Sequence, residues 1–195
     1  MSKIKNKNFT NQGFTLIELL IVMVILGILV AIVFTNIDVG RLTGRGNDTK
    51  RISDMRSMQD GILREQAQGY INLTTGTFNS TQSNPSTVDG TGWIKFSTIA
   101  SAAPANYKFS NLSILPVDPK NGTTNISYSV TGSPTPVTAT ARYVICVSTN
   151  GFEINSLLEN DAAKMSGDGG DDITAYEVGT DLKACAASGV TKFSN

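Results

Sequence analysis

The longest apolar run of the chain, LIELLIVMVILGILVAIVF, extends from Leu16 to Phe34 and contains one charged residue, Glu18. A helix rises about 1.5 Å per residue, so this run would span roughly 28 Å, close to the thickness of the hydrocarbon core of a bilayer. The pattern predicts one continuous membrane-spanning helix over residues 14–38, and Gly27 is its weakest position.

The residues before this run carry only positive charge. Lys3, Lys5 and Lys7 lie in residues 1–13, which contain no acidic residue. The positive-inside rule keeps this leader in the cytoplasm and places the chain after the helix outside. The sequence therefore predicts a single-pass protein of the inner membrane.

Residues 39–71 predict a break followed by an amphipathic helix that packs on the rest of the chain. Three glycines, each costing a helix about 1 kcal/mol relative to alanine, predict the break: Gly40, Gly44 and Gly46. Asn47 or Asp48 would then cap a helix that ends near Tyr70. Apolar residues at three- and four-residue steps predict its buried stripe: Ile52, Met55, Met58 or Gln59, Ile62 and Tyr70.

Residues 72–195 are rich in Thr, Ser, Asn and Gly, and they show no helical period. Asn150-Gly151 between two apolar runs is a strong hairpin signal, which predicts an antiparallel sheet. One face of this sheet would cover the second helix, and the other would meet solvent or a neighbour. The fold class is α+β, and residues 74–92 are predicted to form a loop. Strands are predicted at Trp93–Ile99, Ile126–Val130, Tyr143–Ser148 and Phe152–Leu158.

The composition argues against an enzyme. The chain has no histidine, which removes the commonest general base and the usual partner of a nucleophilic serine or cysteine. After Gly13 there are 13 Lys and Arg residues against 16 Asp and Glu residues, so nucleic-acid binding is not indicated.

Two features of the N-terminal segment differ from an ordinary secretory signal. The small residue Gly13 precedes the apolar run, whereas a signal peptide carries its small residues after that run. Glu18 lies within the run, where an acid costs roughly 2.5–3.5 kcal/mol and marks a candidate functional site.

Together these residues resemble the class III signal of type IV pilins and of the pseudopilins of type II secretion. The match covers GFTLIELLIV, from Gly13 to Val22. The resemblance implies cleavage after Gly13, N-methylation of the new terminus at Phe14, and an assembly role for Glu18. A plain signal-anchor helix with one tolerated acid is the alternative.

Cys146 and Cys185 are the only cysteines, and both lie in the part predicted to face outward. An even count in an oxidising compartment suggests a disulfide, and two buried free thiols are the alternative. The arrangement also resembles the C-terminal disulfide loop of type IVa pilins.

The segment GDGGDD places Asp168, Asp171 and Asp172 among glycines. Hard oxygen ligands on a turning backbone suit calcium. Major pseudopilins carry a calcium in a C-terminal loop of the head, so the resemblance implies a possible calcium site at these aspartates. The spacing departs from the EF-hand pattern, so a solvated acidic turn is the alternative.

The resemblance implies a structural pilin subunit that polymerises through its N-terminal helix into a type IV pilus for adhesion, motility or DNA uptake. A prepilin peptidase, an inner-membrane platform protein and an assembly ATPase would be its partners. The subunit would lie in the inner membrane before assembly and in an extracellular or periplasmic filament afterwards. The alternatives are a type II secretion pseudopilin, favoured by the turn LPVDPKNG and the acidic segment, and a minor tip adhesin.

We hypothesise that Glu18 meets the N-terminal amine of a neighbouring subunit and sets the axial step of the filament. A buried charge without a partner is costly, and this cost would disfavour a subunit docked in the wrong register.

Overall fold

The computed structural model describes most of the chain: residues 13–99, 101–109, 112–128, 130, 132, 136–186 and 193. It divides into two compact units, residues 1–39 and 40–195. The leader lysines lie outside the described residues.

The first unit contains helix α1, Leu16–Asn36, which lies inside the predicted range and continues through Gly27. Among the described residues, α1 is the one helix long and apolar enough to cross a membrane. At its end, the side chains of Thr35 and Asn36 donate hydrogen bonds to the carbonyl oxygen of Ile32, at 2.8 and 2.7 Å. These local bonds satisfy a terminal carbonyl and compete with continuation of the helix.

The prediction of a break at the glycines is wrong. The chain leaves helical geometry at Ile37 and Asp38, and helix α2, Val39–Ala67, contains all three glycines. Gly44 is buried, and a Cβ atom at this position would collide with the side-chain amide of Asn160. Close packing of a loop against this face of α2 therefore outweighs the low helix propensity of glycine.

The second half of α2 confirms the predicted apolar stripe except at Tyr70, which lies beyond the end of the helix at Ala67. Met55, Met58 and Ile62 are all fully buried in the main core. The same three- and four-residue steps continue to buried residues outside the predicted apolar stripe: Gly44, Asp48 and Arg51 before the methionines, and Glu65 after them. Asp48 lies within α2 and does not cap its start.

Besides α2, the described part of the second unit contains eight strands and a short helix. They are β1 Ile71–Leu73, β2 Gly76–Asn79, β3 Phe96–Thr98, β4 Ile126–Tyr128, β5 Val137–Ala139, β6 Val144–Val147, β7 Phe152–Ser156, α3 Ala162–Ser166 and β8 Tyr176–Gly179. All pairs are antiparallel, in a four-stranded sheet of order β2-β6-β7-β8 and two two-stranded sheets, β1-β3 and β4-β5. This confirms the α+β class and the β6–β7 hairpin. The segment predicted as a loop contains β2, because β2 finds its partner in the distant β6.

One face of the four-stranded sheet forms the main core with α2, as predicted. Alternate residues of three strands supply it: Ile145, Val147, Phe152, Ile154, Tyr176 and Val178. The prediction that the other face meets solvent or a neighbour is wrong. Glu153, Asn155 and Glu177 are buried there, and Ala184 and Cys185 pack on Val144 and Cys146.

A buried ion cluster joins α2 to two loops of the second unit. The guanidinium of Arg51 donates to both carboxylate oxygens of Asp118, at 2.7 and 3.0 Å, to Asp48 at 3.0 Å and to Glu159 at 2.9 Å. Lys120 pairs with the second oxygen of Glu159 at 2.6 Å. Asp118 belongs to the turn LPVDPKNG, so this turn is fixed to α2 through its aspartate.

Glu159 gives this cluster a dependence on pH. Burial alone would raise its pKa, but hydrogen bonds from Lys120 and Arg51 outweigh burial and lower the pKa below its usual value of 4.5. The ionised carboxylate of Glu159 therefore stabilises the fold at pH values above 4.5. This stabilisation is lost as the pH falls through the lowered pKa of the folded protein.

We expect Arg51→Ala to lower the free energy of unfolding by about 3–5 kcal/mol, because it leaves buried carboxylates without their cation. Arg45→Ala, at an exposed position of the same helix, should change it by no more than about 0.5 kcal/mol. Urea unfolding of the detergent-solubilised chain, followed by the fluorescence of the single tryptophan Trp93, measures both. Equal effects of the two substitutions would contradict a structural role for the cluster.

Candidate functional site

The peptide bond between Gly13 and Phe14 lies in exposed, non-helical chain just before α1. The ring of Phe14 is 83% exposed, and the space around Gly13 is open. Exposed chain outside regular secondary structure is where proteolytic cleavage concentrates. The local geometry is therefore compatible with cleavage after Gly13.

Thr15 fixes the start of α1 and the position of Glu18. The hydroxyl of Thr15 accepts a hydrogen bond from the backbone N of Glu18 at 3.2 Å, so Thr15 is the N-cap and Glu18 is the third helical residue. Thr-x-x-Glu at these positions is the sequence of a capping box. The spacing of Thr15 and Glu18 in the sequence already indicates this role.

Phe14 precedes the N-cap, so in this uncleaved chain Phe14 and Glu18 are not four residues apart within one helix. The side-chain pairing of helical residues at that spacing therefore does not apply to them here. Among the described residues, no ion pair or hydrogen bond involves the carboxylate of Glu18.

The surface of α1 has no polar side. No residue of α1 is buried, and its large apolar side chains range in exposure from 46% at Val22 to 89% at Leu16. Apolar surface on all sides of a helix is stable in lipid or among other apolar helices, but not in water.

The predicted disulfide is present between Cys146 and Cys185. It fixes the C-terminal turn to β6, and further bonds hold this turn to β7. The backbone N of Cys185 donates to Glu153 at 2.9 Å, and the amide of Asn155 donates to the sulfur of Cys185 at 3.2 Å. The bridge thus explains why the second face of the sheet is covered.

Two of the three predicted metal ligands accept hydrogen bonds from residues nearby in the chain. Asp168 accepts hydrogen bonds from the backbone N of Gly170 and of Glu177, at 2.9 and 2.7 Å, and burial raises its pKa. Asp172 accepts from the backbone N and hydroxyl of Thr174, at 2.9 and 2.5 Å. These bonds shape the turn.

The third, Asp171, lies beside carboxylates that the sequence reasoning missed. Glu153, Asp171 and Glu177 each place one carboxylate oxygen within 4.8 Å of the others; the two glutamates are buried and Asp171 is exposed. Hard oxygen donors at this separation suit calcium, which would take further ligands from backbone or water. The β7–β8 pairing, which puts Glu153 and Glu177 on one face, could not be read from their spacing along the chain.

No curated protein and no solved structure matches the chain. Residues 8–34 match the family described as "Prokaryotic N-terminal methylation motif". This match includes Gly13, Phe14 and Glu18, which the fold places at the exposed entrance to α1. The chain thus carries, ahead of an α+β head, the N-terminal signature of type IV pilins and pseudopilins.

Proposed function

We propose that this chain is a structural pilin subunit, cut after Gly13, N-methylated at Phe14 and polymerised through α1 into a type IV pilus filament. The observation that carries this proposal is a methylation motif that covers the start and most of α1, an apolar helix with one charged residue, Glu18, and no buried residue. A prepilin peptidase, a membrane platform protein and an assembly ATPase are its proposed partners. The head lies outside the membrane before assembly and on the filament surface afterwards.

The physical drive for polymerisation is the need to cover α1. Burying one large apolar side chain contributes about 1.5–3 kcal/mol relative to leaving it in water, and in the membrane lipid supplies the same cover. Helices of neighbouring subunits replace the lipid once a subunit leaves the bilayer. Apolar contact alone does not fix the register of such helices, so a charged contact is required for specificity.

Glu18 is the residue proposed to set that register. Cleavage creates a cationic amine at Phe14, and the amine of one subunit neutralises Glu18 of the next. An acid in apolar surroundings without this partner is strongly unfavourable, so subunits dock only where amine and carboxylate meet.

A pseudopilin of a type II secretion system is the second candidate. The observation that favours it is the anchoring of the turn LPVDPKNG through Asp118 to Arg51, together with the carboxylates around Asp171. The disulfide favours a pilus subunit. A minor tip adhesin is the third candidate, and the abundance of the protein in filaments separates it from the other two.

Mass spectrometry of the protein from its native membranes should show 182 residues, the full 195 less the 13 of the leader, beginning with N-methylated Phe14. Gly13→Val should retain the leader, because a branched side chain replaces the small residue before the cut. Sheared surface filaments should consist mainly of the mature chain. A wild-type product with its leader intact and an unmodified terminus would refute the proposal, and trace amounts in filaments would favour the tip adhesin.

We expect Glu18→Gln to reduce filament yield at least about tenfold, because the uncharged side chain cannot neutralise the neighbouring amine. Glutamine still serves at the third position of a capping box, so the helix itself is preserved. Glu18→Asp, which retains the charge, is the matched control, and electron microscopy of sheared filaments is the measurement. Filaments of normal yield and axial rise from Glu18→Gln would remove the register role.

We also propose that calcium in the head is held by Glu153, Asp171 and Glu177. Three carboxylates this close repel one another unless a cation or a proton compensates them. Calcium should therefore raise the melting temperature of the wild-type protein, and Asp171→Asn should abolish that rise. Asp161→Asn, at an acid outside this group, should retain it. If calcium does not shift the melting temperature of the wild-type protein, the calcium site is rejected in favour of a solvated acidic turn.

A further inference from the structure

The chain contains two Asn-Gly dipeptides, Asn121-Gly122 and Asn150-Gly151, and the fold treats them differently. Asn-Gly is the dipeptide most prone to spontaneous deamidation, because glycine leaves its backbone N open to attack the preceding side chain. Asparagine is accordingly a thermolabile residue. Whether a given Asn-Gly reacts in a folded protein depends on how firmly the side chain and the attacking nitrogen are held.

At Asn121 both reacting groups are held. The side-chain oxygen accepts a hydrogen bond from the hydroxyl of Ser80 at 2.5 Å, and the side-chain amide donates to the carbonyl of Ser80 at 2.8 Å. The backbone N of Gly122 donates to the carbonyl of Ala141 at 2.9 Å. The two bonds to Ser80 hold the side chain in place, and the bond to Ala141 engages the N–H group that must lose its proton before the ring can close.

At Asn150 both reacting groups are free. The residue is exposed at the tip of the β6–β7 hairpin. Its side chain and the backbone N of Gly151 form no hydrogen bond with any described residue. The turn is closed instead by the N of Ser148, which donates to the carbonyl of Gly151 at 2.8 Å. A side chain at position 151 would collide with the hydroxyl of Thr180, so glycine is required there.

We infer that Asn150 is a site of spontaneous deamidation in the folded protein and that Asn121 is protected. The backbone N of Gly151 loses its proton to solvent base and attacks the side-chain carbonyl carbon of Asn150. The C–N bond to the amide group breaks, and the amide nitrogen takes up a proton and leaves as ammonia. Water then opens the cyclic imide at either carbonyl, which gives aspartate or isoaspartate at position 150.

The modification has two physical consequences. It adds one negative charge to a turn in which Ser148 already donates to the carboxylate of Asp181 at 3.0 Å. Isoaspartate also lengthens the backbone of the turn by one carbon, which strains the closing bond between Ser148 and Gly151. The β6–β7 hairpin therefore accumulates charge and loses order as the protein ages.

The test is to incubate the detergent-solubilised full chain at neutral and mildly alkaline pH and to follow both dipeptides by peptide mapping with mass spectrometry. In the native protein, Asn150 should convert at least about tenfold faster than Asn121, because three hydrogen bonds protect the latter. In urea, where no fold protects either site, the two rates should come within about twofold of each other. The Asn150 rate should rise with pH, because the attacking nitrogen must lose its proton.

Two variants sharpen the comparison. Ser80→Ala removes one of the bonds that hold Asn121 and should speed its conversion severalfold, whereas Asn150→Gln should abolish the acidic product at the hairpin. If Ser80→Ala does not fold, the native-to-urea ratio of the wild type decides alone. Equal native rates at the two sites, a faster native rate at Asn121, or an Asn150 that converts in urea but not in the native protein would overturn the inference.

Discussion

The apolar helix α1 imposes the strongest constraint on this molecule, because none of its 21 residues is buried. Water does not tolerate that much apolar surface, so α1 requires lipid or other apolar helices at every stage of its existence. The methylation motif, residues 8–34, covers the start and most of this helix. In the function we propose, cleavage after Gly13 creates a cationic amine close to Glu18, the charged residue in α1, and the pairing of these two charges gives the apolar surface a preferred register.

The second unit depends on a different interaction, the buried cluster around Arg51. The first turns of α2 present Gly44, Asp48 and Arg51 along the line that later carries Met55 and Met58. Polar groups on this line accept only partners of matching charge and geometry, so they fix where the loops around Asp118 and Glu159 dock. Apolar contacts alone would leave that docking less specific, which we regard as the reason for burying so many charges.

Both faces of the main sheet are covered, and this separates the head from a simple two-layer arrangement. The disulfide between Cys146 and Cys185 fixes the C-terminal turn over a face that contains Glu153, Asn155 and Glu177. Polar residues on a covered face need hydrogen-bond partners, and the turn supplies one of them through the backbone N of Cys185. The acidic loop around Asp171 lies beside the same carboxylates. The disulfide and the candidate calcium ligands are therefore on the same side of the sheet.

Local signals in the sequence determined α1, the processing motif, the apolar half of α2 and the β6–β7 hairpin, because each depends on residues within a few positions of one another. Tertiary contacts decided the rest. Gly44 is helical because a distant loop packs against it, and β2 is a strand because β6 pairs with it. Arg51 pairs with Asp118, and the carboxylate of Glu153 lies near that of Glu177, across separations that no local pattern encodes. The physical reason is that packing and charge pairing between distant segments outweigh the small local preferences of single residues.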